Sequence, residues 1–230
     1  MMKPRKLLAA LCGILLSLAA AVAALAFILD GLGGSAPLML QLMDKHAPAE
    51  ATRLPREHYP AMAEMITDYL SGREKTFQFS FTDGEGITYQ CFNEKEQQHM
   101  ADVKALFDLD RTVLLVAVLV LVLLGMLAWR LRLYRRWTAR GFLWGSLLVL
   151  AVLTALAAWA AVDFDGLFIL FHRLSFTNEL WLLDPRTDLL IRLMPTAFFI
   201  HYAAILGGTW LGLLLVMMAA ARHLSTRWKA

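Results

Sequence analysis

Two histidines in the sequence lie where a polar side chain is unusual, each within an apolar stretch. His99 falls on the apolar stripe of a predicted helix, and His172 ends the run FILFH. Asp102 lies three residues after His99, so the two side chains would share one helix face, and Asn178 follows His172. An imidazole titrates near neutral pH and can take up or release a proton during a reaction. Either histidine alone is more often a structural residue, but together they predict a proton-transfer pair that Asp102 and Asn178 orient.

Metal binding is a second use of the same side chains. His99 and Asp102 could supply two ligands from one helix, and His172 could supply a third. The sequence has no HExxH motif, and Cys12 and Cys91 are too few and too differently placed for a metal site or a disulfide framework. P-loop, GxGxxG and G-x-S-x-G motifs are also missing. These absences favour the proton-transfer pair over a metal site.

The other four histidines are interpreted as lying outside the site. His46 and His58 occur in polar stretches before any clear element and are predicted to be surface residues. His201, near the start of an apolar run, is interpreted as interfacial, and His223 as a solvated residue of a basic tail.

The elements that must position these residues are those of a membrane protein. Hydrophobic residues make up 59% of the 230 residues and charged residues 18%, against roughly 45–50% and about 25% in soluble domains. Mean hydropathy is +0.55. Four stretches reach the ~20 apolar residues that a membrane-spanning helix needs, residues 7–29, 113–134, 142–162 and 198–221. The first is longer than the apolar part of a signal peptide, which favours an uncleaved anchor. In the last, Gly208 and Gly212 have a spacing typical of close helix packing.

The charges predict an orientation for these spans. Eleven of the 22 basic residues lie in residues 1–6, 130–140 and 222–230, where no acidic residue occurs, and all 19 acidic residues fall in the other two connections. The positive-inside rule then places the N-terminus, the loop at residues 135–141 and the tail at 222–230 in the cytoplasm. Residues 30–112 and 163–197 would share the outer face. The net charge of +3 is thus a topology signal, and no nucleic-acid partner is needed to explain it.

The two outer segments differ in pattern. Residues 30–112 predict a helix over 61–70, a hairpin with strands over 76–81 and 87–92, and a helix that Asn93 and Glu96 open as a capping box and that runs into the second span. Residues 163–197 are rich in aromatic residues and interrupted by Pro185 and Pro195. The sequence therefore predicts an all-α membrane protein with four transmembrane helices, a small α+β extracellular domain between helices 1 and 2, and an interfacial or re-entrant segment between helices 3 and 4.

The residues around both histidines resemble the Lit family of lipoprotein intramolecular transacylases. The first motif is short, His99-Met100-Ala-Asp102-Val103-Lys104. The second is long and more specific, Phe171-His172-x-x-x-Phe176-x-Asn178-x-x-Trp181-x-x-Asp184-Pro185-x-Thr187-Asp188-x-Leu190-Ile191-x-x-x-Pro195-x-x-Phe198-Phe199. The four-span layout and the outer hairpin are similar as well, so the resemblance covers most of the chain.

The resemblance implies an enzyme of the bacterial plasma membrane. Such enzymes move an acyl chain from the sn-2 ester of a diacylglyceryl-modified N-terminal cysteine to the α-amine of that cysteine, giving a lyso-form lipoprotein. The partners would be diacylglyceryl-modified lipoproteins and membrane lipids, with no cofactor. His99 and His172 would be the catalytic pair, one as base or transient acyl acceptor and the other as acid or oxyanion donor, and the sequence does not assign which is which. The remaining expected site residues divide into supporting residues, Asp102, Asn178, Trp181 and Asp188, and lipid-groove residues, Phe171 and Phe176.

Two other functions remain open at this point. The chain could be a membrane scaffold or sensor whose outer domain binds a partner, with structural histidines. It could also be a metal-dependent lipid hydrolase.

Overall fold

Four long helices dominate the computed structural model, which describes residues 4–227. Lys3 and Lys229, counted above among the flanking bases, lie outside the described residues. Each of the four is long and apolar enough to cross a membrane, as predicted: α1 (Pro4–Gly33), α5 (Glu94–Arg130), α6 (Arg135–Val162) and α9 (Thr196–Arg227). The predicted helix from Asn93 into the second span is α5, a single helix of 37 residues.

The turn between α5 and α6 differs from the prediction. α5 ends at Arg130 rather than near residue 134, and the expected loop at residues 135–141 forms the first turns of α6. The N–H of Arg132 donates to the Trp129 carbonyl (3.1 Å) and that of Leu133 to the Ala128 carbonyl (3.0 Å). Arg132 is left-handed, with φ of 48°. These two hydrogen bonds form a Schellman motif, which ends α5. The pattern of apolar residues alone does not predict where such a motif ends a helix.

The described chain folds as two compact units. The first, here the membrane unit, comprises residues 4–28, 110–162 and 206–227. Within it α1 and α6 approach closely at glycines, because a Cβ on Gly13 would lie 2.0 Å from the Thr138 carbonyl oxygen and one on Gly141 2.0 Å from that of Ala10. The hydroxyls of Ser17 and Ser146 hydrogen bond at 2.9 Å across the same contact.

The close packing predicted for Gly208 and Gly212 is wrong. Apart from the residues next to each glycine and the nearby backbone of α9 itself, no described atom lies within 4 Å of the position that a Cβ would take. α9 instead contacts α1 through Trp210, whose indole N–H donates to the Ala21 carbonyl at 2.9 Å. Residues two positions from Trp210 lie on the opposite side of a helix of 3.6 residues per turn, so both glycines point away from that contact.

The second unit, here the loop unit, comprises residues 29–109 and 163–205. It contains the N-terminal part of α5 and the start of α9. Its other elements are α2 (Ala36–His46), α3 (Ala49–Thr52), α4 (Tyr59–Leu70), β1 (Ser80–Thr82), β2 (Thr88–Gln90), α7 (Phe164–Ser175) and α8 (Leu189–Leu193). α4 corresponds to the helix predicted over residues 61–70, whereas α2 and α3 were not predicted. Ser35 caps α2, since its hydroxyl accepts a hydrogen bond from the Leu38 N–H, and Pro37 lies in the first turn.

The core of the loop unit joins residues that are far apart in sequence. α2 and α4 contribute Leu42, Met62 and Ile66, while α8 and α9 contribute Leu193 and Phe198, all fully buried. Burial of side chains of this size stabilises a fold by about 1.5–3 kcal/mol each. Residues 163–205 therefore complete a core that the first connection could not build alone.

The hairpin is shorter than predicted. β1 and β2 pair antiparallel with Ser80 opposite Gln90, so each strand has three residues. The chain before β1 leaves the sheet because Phe77 is buried against Tyr69 and Phe92, with ring centroids 5.2 and 4.5 Å away. The predicted strand over residues 76–81 is therefore divided. Its end pairs with β2, and its start packs into the core.

Candidate active site

The first turn of α5 positions His99. The predicted capping box is present, since the Asn93 N–H donates to Glu96 Oε2 at 2.9 Å and the Glu96 N–H donates to Asn93 Oδ1 at 3.0 Å. This reciprocal pair fixes the helix start. His99 follows Glu96 by three residues and is buried, with 7% of its surface exposed.

α7 positions His172. Asp163 caps this helix by accepting the Gly166 N–H at 2.8 Å. His172 lies in the last turn, 7% exposed, with Nδ1 2.7 Å from the Phe168 carbonyl oxygen. A carbonyl can only accept, so Nδ1 carries the hydrogen and Nε2 of the neutral ring is left with a lone pair. One tautomer of His172 is therefore fixed by its own helix.

The two histidines lie side by side in an aromatic cluster. Their ring centroids are 6.2 Å apart. Phe176 contacts both rings, at 5.3 Å from His99 and 5.5 Å from His172. Trp181 and Phe168 lie 5.0 and 4.2 Å from His172. The structure thus brings together four residues expected at the site and adds Phe168, which the sequence motif did not single out.

Both imidazoles are held in the neutral form. Burial, with the charge of His172 adding to it, lowers the pKa of His99 to about 4, and the carboxylate of Asp102 opposes the change. Burial also lowers the pKa of His172, opposed by the hydrogen bond to Phe168. Both groups lie outside the apolar span of α5 and outside the other spans. Within residues 4–227, the buried Nδ1 atom of His99 has no hydrogen-bond partner. A buried polar atom of this kind is costly and is expected to have a ligand.

Asp102 and Asn178 contact each other. Asn178 Nδ2 donates to Asp102 Oδ2 at 2.9 Å, and Asn178 Oδ1 accepts the Leu180 N–H at 3.0 Å. The expectation that they orient the rings by direct hydrogen bonds is not met by any contact of the described residues. They instead join α5 to the segment that carries Trp181, and Asp102 acts on His99 through its charge.

Asp188 belongs to a second polar network. It is 3% exposed, and its oxygens accept Asn93 Nδ2 at 2.9 Å and the Asp184 N–H at 2.8 Å. Lys95 Nζ lies 3.5 Å from Asp188 Oδ2 and donates to the Leu182 carbonyl at 2.5 Å. Burial alone would raise the pKa of Asp188, but these donors and the Lys95 charge hold it below its usual range. Asp188 contacts neither histidine in the described structure, so it supports the site through Asn93 and Lys95 at the start of α5.

Glu96 is the residue of this network that sequence reasoning missed. It is 1% exposed, and Oε1 accepts the Leu190 N–H at 2.6 Å while Oε2 accepts the Asn93 N–H. Burial raises its pKa, and these N–H donors oppose the change. The capping box was visible in the sequence, but the bond to a residue 94 positions away was not. Glu96 thus ties the turn before His99 to the start of α8.

Phe171 is half-exposed, with its ring centroid 5.3 Å from that of His172. Phe176, by contrast, is half-buried and contacts both histidines.

Two other histidines were interpreted wrongly as simple surface residues. His46 is half-buried and its Nε2 lies 3.2 Å from Nδ1 of His201, so these two form a hydrogen-bonded pair. Burial, with His201 and Lys45 adding to it, lowers the pKa of His46. His58 is half-buried and packs on Phe81, with ring centroids 4.5 Å apart. Neither contact could be predicted without α2 and the hairpin in place.

No group of three or more His, Cys, Asp or Glu side chains in residues 4–227 is arranged so that it could hold a metal ion. The cysteines Cys12 and Cys91 are both free.

Comparison with known proteins gives one family and one fold. The family model of the lipoprotein intramolecular transacylase Lit matches residues 10–199. The in meso structure of the membrane integral lipoprotein intramolecular transacylase Lit from Bacillus cereus aligns with a TM-score of 0.78 and 21% identity, over 96% of this chain and 97% of that chain. Structures of its variants with one histidine replaced by arginine or alanine align at TM-scores of 0.71 and 0.74, each with 20% identity and over 96% of this chain. They are covered over 93% and 94% of their length. No curated protein sequence matches.

Proposed function

The chain belongs to the Lit family of lipoprotein intramolecular transacylases and is thus an acyltransferase, and on this premise we propose its reaction and its catalytic residues. It transfers the sn-2 acyl chain of a diacylglyceryl-modified N-terminal cysteine to the α-amine of the same cysteine. The product is an N-acylated, lyso-form lipoprotein of the bacterial plasma membrane. Since both reacting groups arrive on one bound substrate, positioning supplies much of the rate acceleration. The reaction requires no cofactor.

His172 is the general base. The α-amine, with a pKa of about 8 in model peptides, is mostly protonated at neutral pH and must lose a proton to attack. The hydrogen bond from Nδ1 to Phe168 leaves Nε2 of His172 as the proton acceptor. The ammonium form first releases one proton to water. As the neutral amine then attacks the sn-2 carbonyl carbon, the C–N bond forms and a second proton passes from the nitrogen to Nε2.

His99 is the hydrogen-bond donor to the oxyanion. The attack moves an electron pair onto the carbonyl oxygen, and a preorganised donor in a buried site stabilises that charge. The pKa of His99, lowered to about 4, keeps the ring neutral, which makes it a donor through one nitrogen and a weak base. The tetrahedral intermediate then collapses, the bond to the sn-2 glycerol oxygen breaks, and protonated His172 returns its proton to that oxygen. The observation that carries this assignment is the unpartnered buried Nδ1 of His99 beside the tautomer-fixed His172.

The aromatic cluster provides contacts for the acyl chain. Phe176 and Trp181 pack against the histidine rings, and Phe171 is half-exposed beside them. Leu174 on the same helix is 79% exposed. Apolar side chains this exposed at the end of α7 suit contact with the lipid tails of the substrate or of the bilayer.

The test is expression in a bacterium that lacks this activity, followed by mass spectrometry of the N-terminal peptide of a lipoprotein. The wild type should produce the lyso form, and His99→Ala and His172→Ala should not, at equal levels in the membrane. His58→Ala is the matched control, because His58 belongs to the same unit but packs on Phe81 outside the cluster, and it should remain active.

Each alternative gives a different result. If both alanine variants still produce the lyso form, the histidine mechanism is wrong. A wild type that changes no lipoprotein would favour the scaffold or sensor. Release of free fatty acid, abolished by a chelator, would indicate a metal-dependent hydrolase.

A further inference from the structure

An open cavity lies in the membrane unit where α5 ends, α6 begins and the last turns of α9 pass. Its volume is about 1100 Å³. Arg130, Arg132 and Arg135 line one part of it, and Leu133, Phe142 and Met217 line another. The cavity thus combines three guanidinium groups with an apolar wall. None of its lining residues belongs to the histidine cluster.

Aspartate and glutamate are missing from the sequence stretches that line the cavity. Residues 111–162 and 206–230 contain no aspartate or glutamate, and these stretches include every residue that lines the cavity. A guanidinium group presents several N–H donors in a planar fork that matches phosphate oxygens. The charge of this cavity is therefore complementary to a phosphate group.

The backbone at the cavity has one unusual residue. Arg132 occupies the left-handed position of the Schellman motif that ends α5, with φ of 48°. That position favours glycine, and an arginine there is strained. The dipole at the C-terminal end of α5 favours a cation here, and a bound anion would favour the arginine further.

We propose that this cavity binds an anionic phosphoglycerolipid of the inner leaflet. Its phosphate contacts Arg130 and Arg132 at the end of α5, and its acyl chain lies along Leu133, Phe142 and Met217. Basic pockets between membrane helices are suited to anionic headgroups. A purely topological role of the arginines needs neither the apolar wall nor the strained Arg132. This lipid site is separate from the proposed transacylation and would exist whatever the chemistry of the histidines.

The test compares phosphatidylglycerol with phosphatidylcholine of identical chains. The full-length protein in an uncharged detergent is mixed with both lipids at equal concentration, and retained lipid is counted by native mass spectrometry. The wild type should retain phosphatidylglycerol preferentially, and Arg130→Gln/Arg132→Gln should lose that preference, by about five-fold for each arginine. The matched control is Arg222→Gln/Arg227→Gln, which removes two charges from α9 outside the cavity lining and should keep the preference.

A second variant separates the lipid contact from folding. Arg132→Gly removes the guanidinium and relieves the left-handed strain, so its melting temperature should not fall while its preference for phosphatidylglycerol does. The proposal is overturned if the wild type has no preference, if the control pair loses it equally, or if Arg132→Gly keeps it in full. It is also overturned if inorganic phosphate displaces the lipid at equal concentration, since the site would then bind a free anion.

Discussion

At the scale of single residues, the surroundings of the two histidines divide the chemistry between them. His172 has a fixed tautomer because its own helix supplies an acceptor for Nδ1. His99 has a buried nitrogen without a partner among the described residues and a pKa lowered to about 4. One ring is therefore suited to accept a proton, and the other to donate a hydrogen bond without ionising. This division is what we expect of a site that moves one proton and stabilises one oxyanion.

The first prediction follows from this division of roles. A glutamine can donate a hydrogen bond from its amide but cannot act as a base near neutral pH. His99→Gln should therefore retain part of the turnover that His99→Ala loses. Loss of one oxyanion donor lowers kcat by a factor of about 10²–10³. His172→Gln should be as inactive as His172→Ala. The rate of lyso-lipoprotein formation in membranes measures both. Equal activity of the glutamine and alanine variants at position 99 would contradict a donor role.

The second prediction concerns stability at low pH. Because the pKa of His99 falls from about 6.5 in the unfolded chain to about 4 in the fold, the unfolded state binds more protons between these values. The neutral His99 ring therefore contributes to the free energy of unfolding above about pH 6.5. This contribution, at most ~3 kcal/mol, is lost as the pH falls toward 4. Melting temperatures in detergent between pH 7.5 and 5 should therefore fall less for His99→Gln than for the wild type. His223→Gln, in the exposed tail, is the control and should follow the wild type. If the melting temperature of His99→Gln fell with pH as steeply as that of the wild type, the burial of a neutral His99 ring would be contradicted.

At the scale of elements, the first turn of α5 and the start of α8 hold each other in place. Both oxygens of Glu96 accept backbone N–H groups, so Glu96→Gln would turn an amide N–H₂ toward a donor. We expect a loss of stability of about 1–3 kcal/mol and lower turnover without any change in the histidines. Glu94→Gln is the matched control, since Glu94 is exposed in the same turn, and should have little effect. Thermal unfolding measures the first effect and lipopeptide mass spectrometry the second. Equal melting temperatures for the two variants would show that Glu96 does not lock this turn.

The glycines of the membrane unit give the fourth prediction. A side chain at Gly141 would collide with the backbone of α1, whereas Gly208 has open space. Gly141→Val should therefore lower the melting temperature, with overpacking that costs about 1–3 kcal/mol or more. Gly208→Val is the matched control, because the same change in α9 should leave the melting temperature almost unchanged. Equal effects of the two variants would mean that α1 and α6 do not pack through their glycines.

These elements also show how far sequence reasoning reaches. The spans were predictable because bilayer crossing imposes long apolar runs, and the capping box of Asn93 and Glu96 because it is local. α2 was not predicted, although Ser35 and Pro37 mark its start. The His46–His201 contact joins residues 155 positions apart, and no local pattern specifies it. The histidine cluster was located only because both motifs carry an unusual polar residue.

At the scale of the whole molecule, the distribution of charge predicts how the chain crosses the membrane. Every acidic residue lies between positions 30 and 110 or between 163 and 188, and the eleven bases of the other connections have no acidic neighbour in their segments. Basic residues are retained on the cytoplasmic side during insertion, so we expect the loop unit to face outward. A site on that face would meet lipoproteins that are anchored in the outer leaflet.

The last prediction tests this orientation with single cysteines. Glu85 lies in the exposed turn of the hairpin and His223 in the exposed end of α9. A membrane-impermeant maleimide should label Glu85→Cys in intact cells and His223→Cys only after the membrane is permeabilised. The native cysteines should contribute little, since Cys12 is buried, and burial, with the charge of Glu96, raises the pKa of Cys91 to about 11, which leaves almost no reactive thiolate at neutral pH. Labelling of His223→Cys in intact cells would invert the orientation and place the histidine cluster on the side away from its proposed substrate.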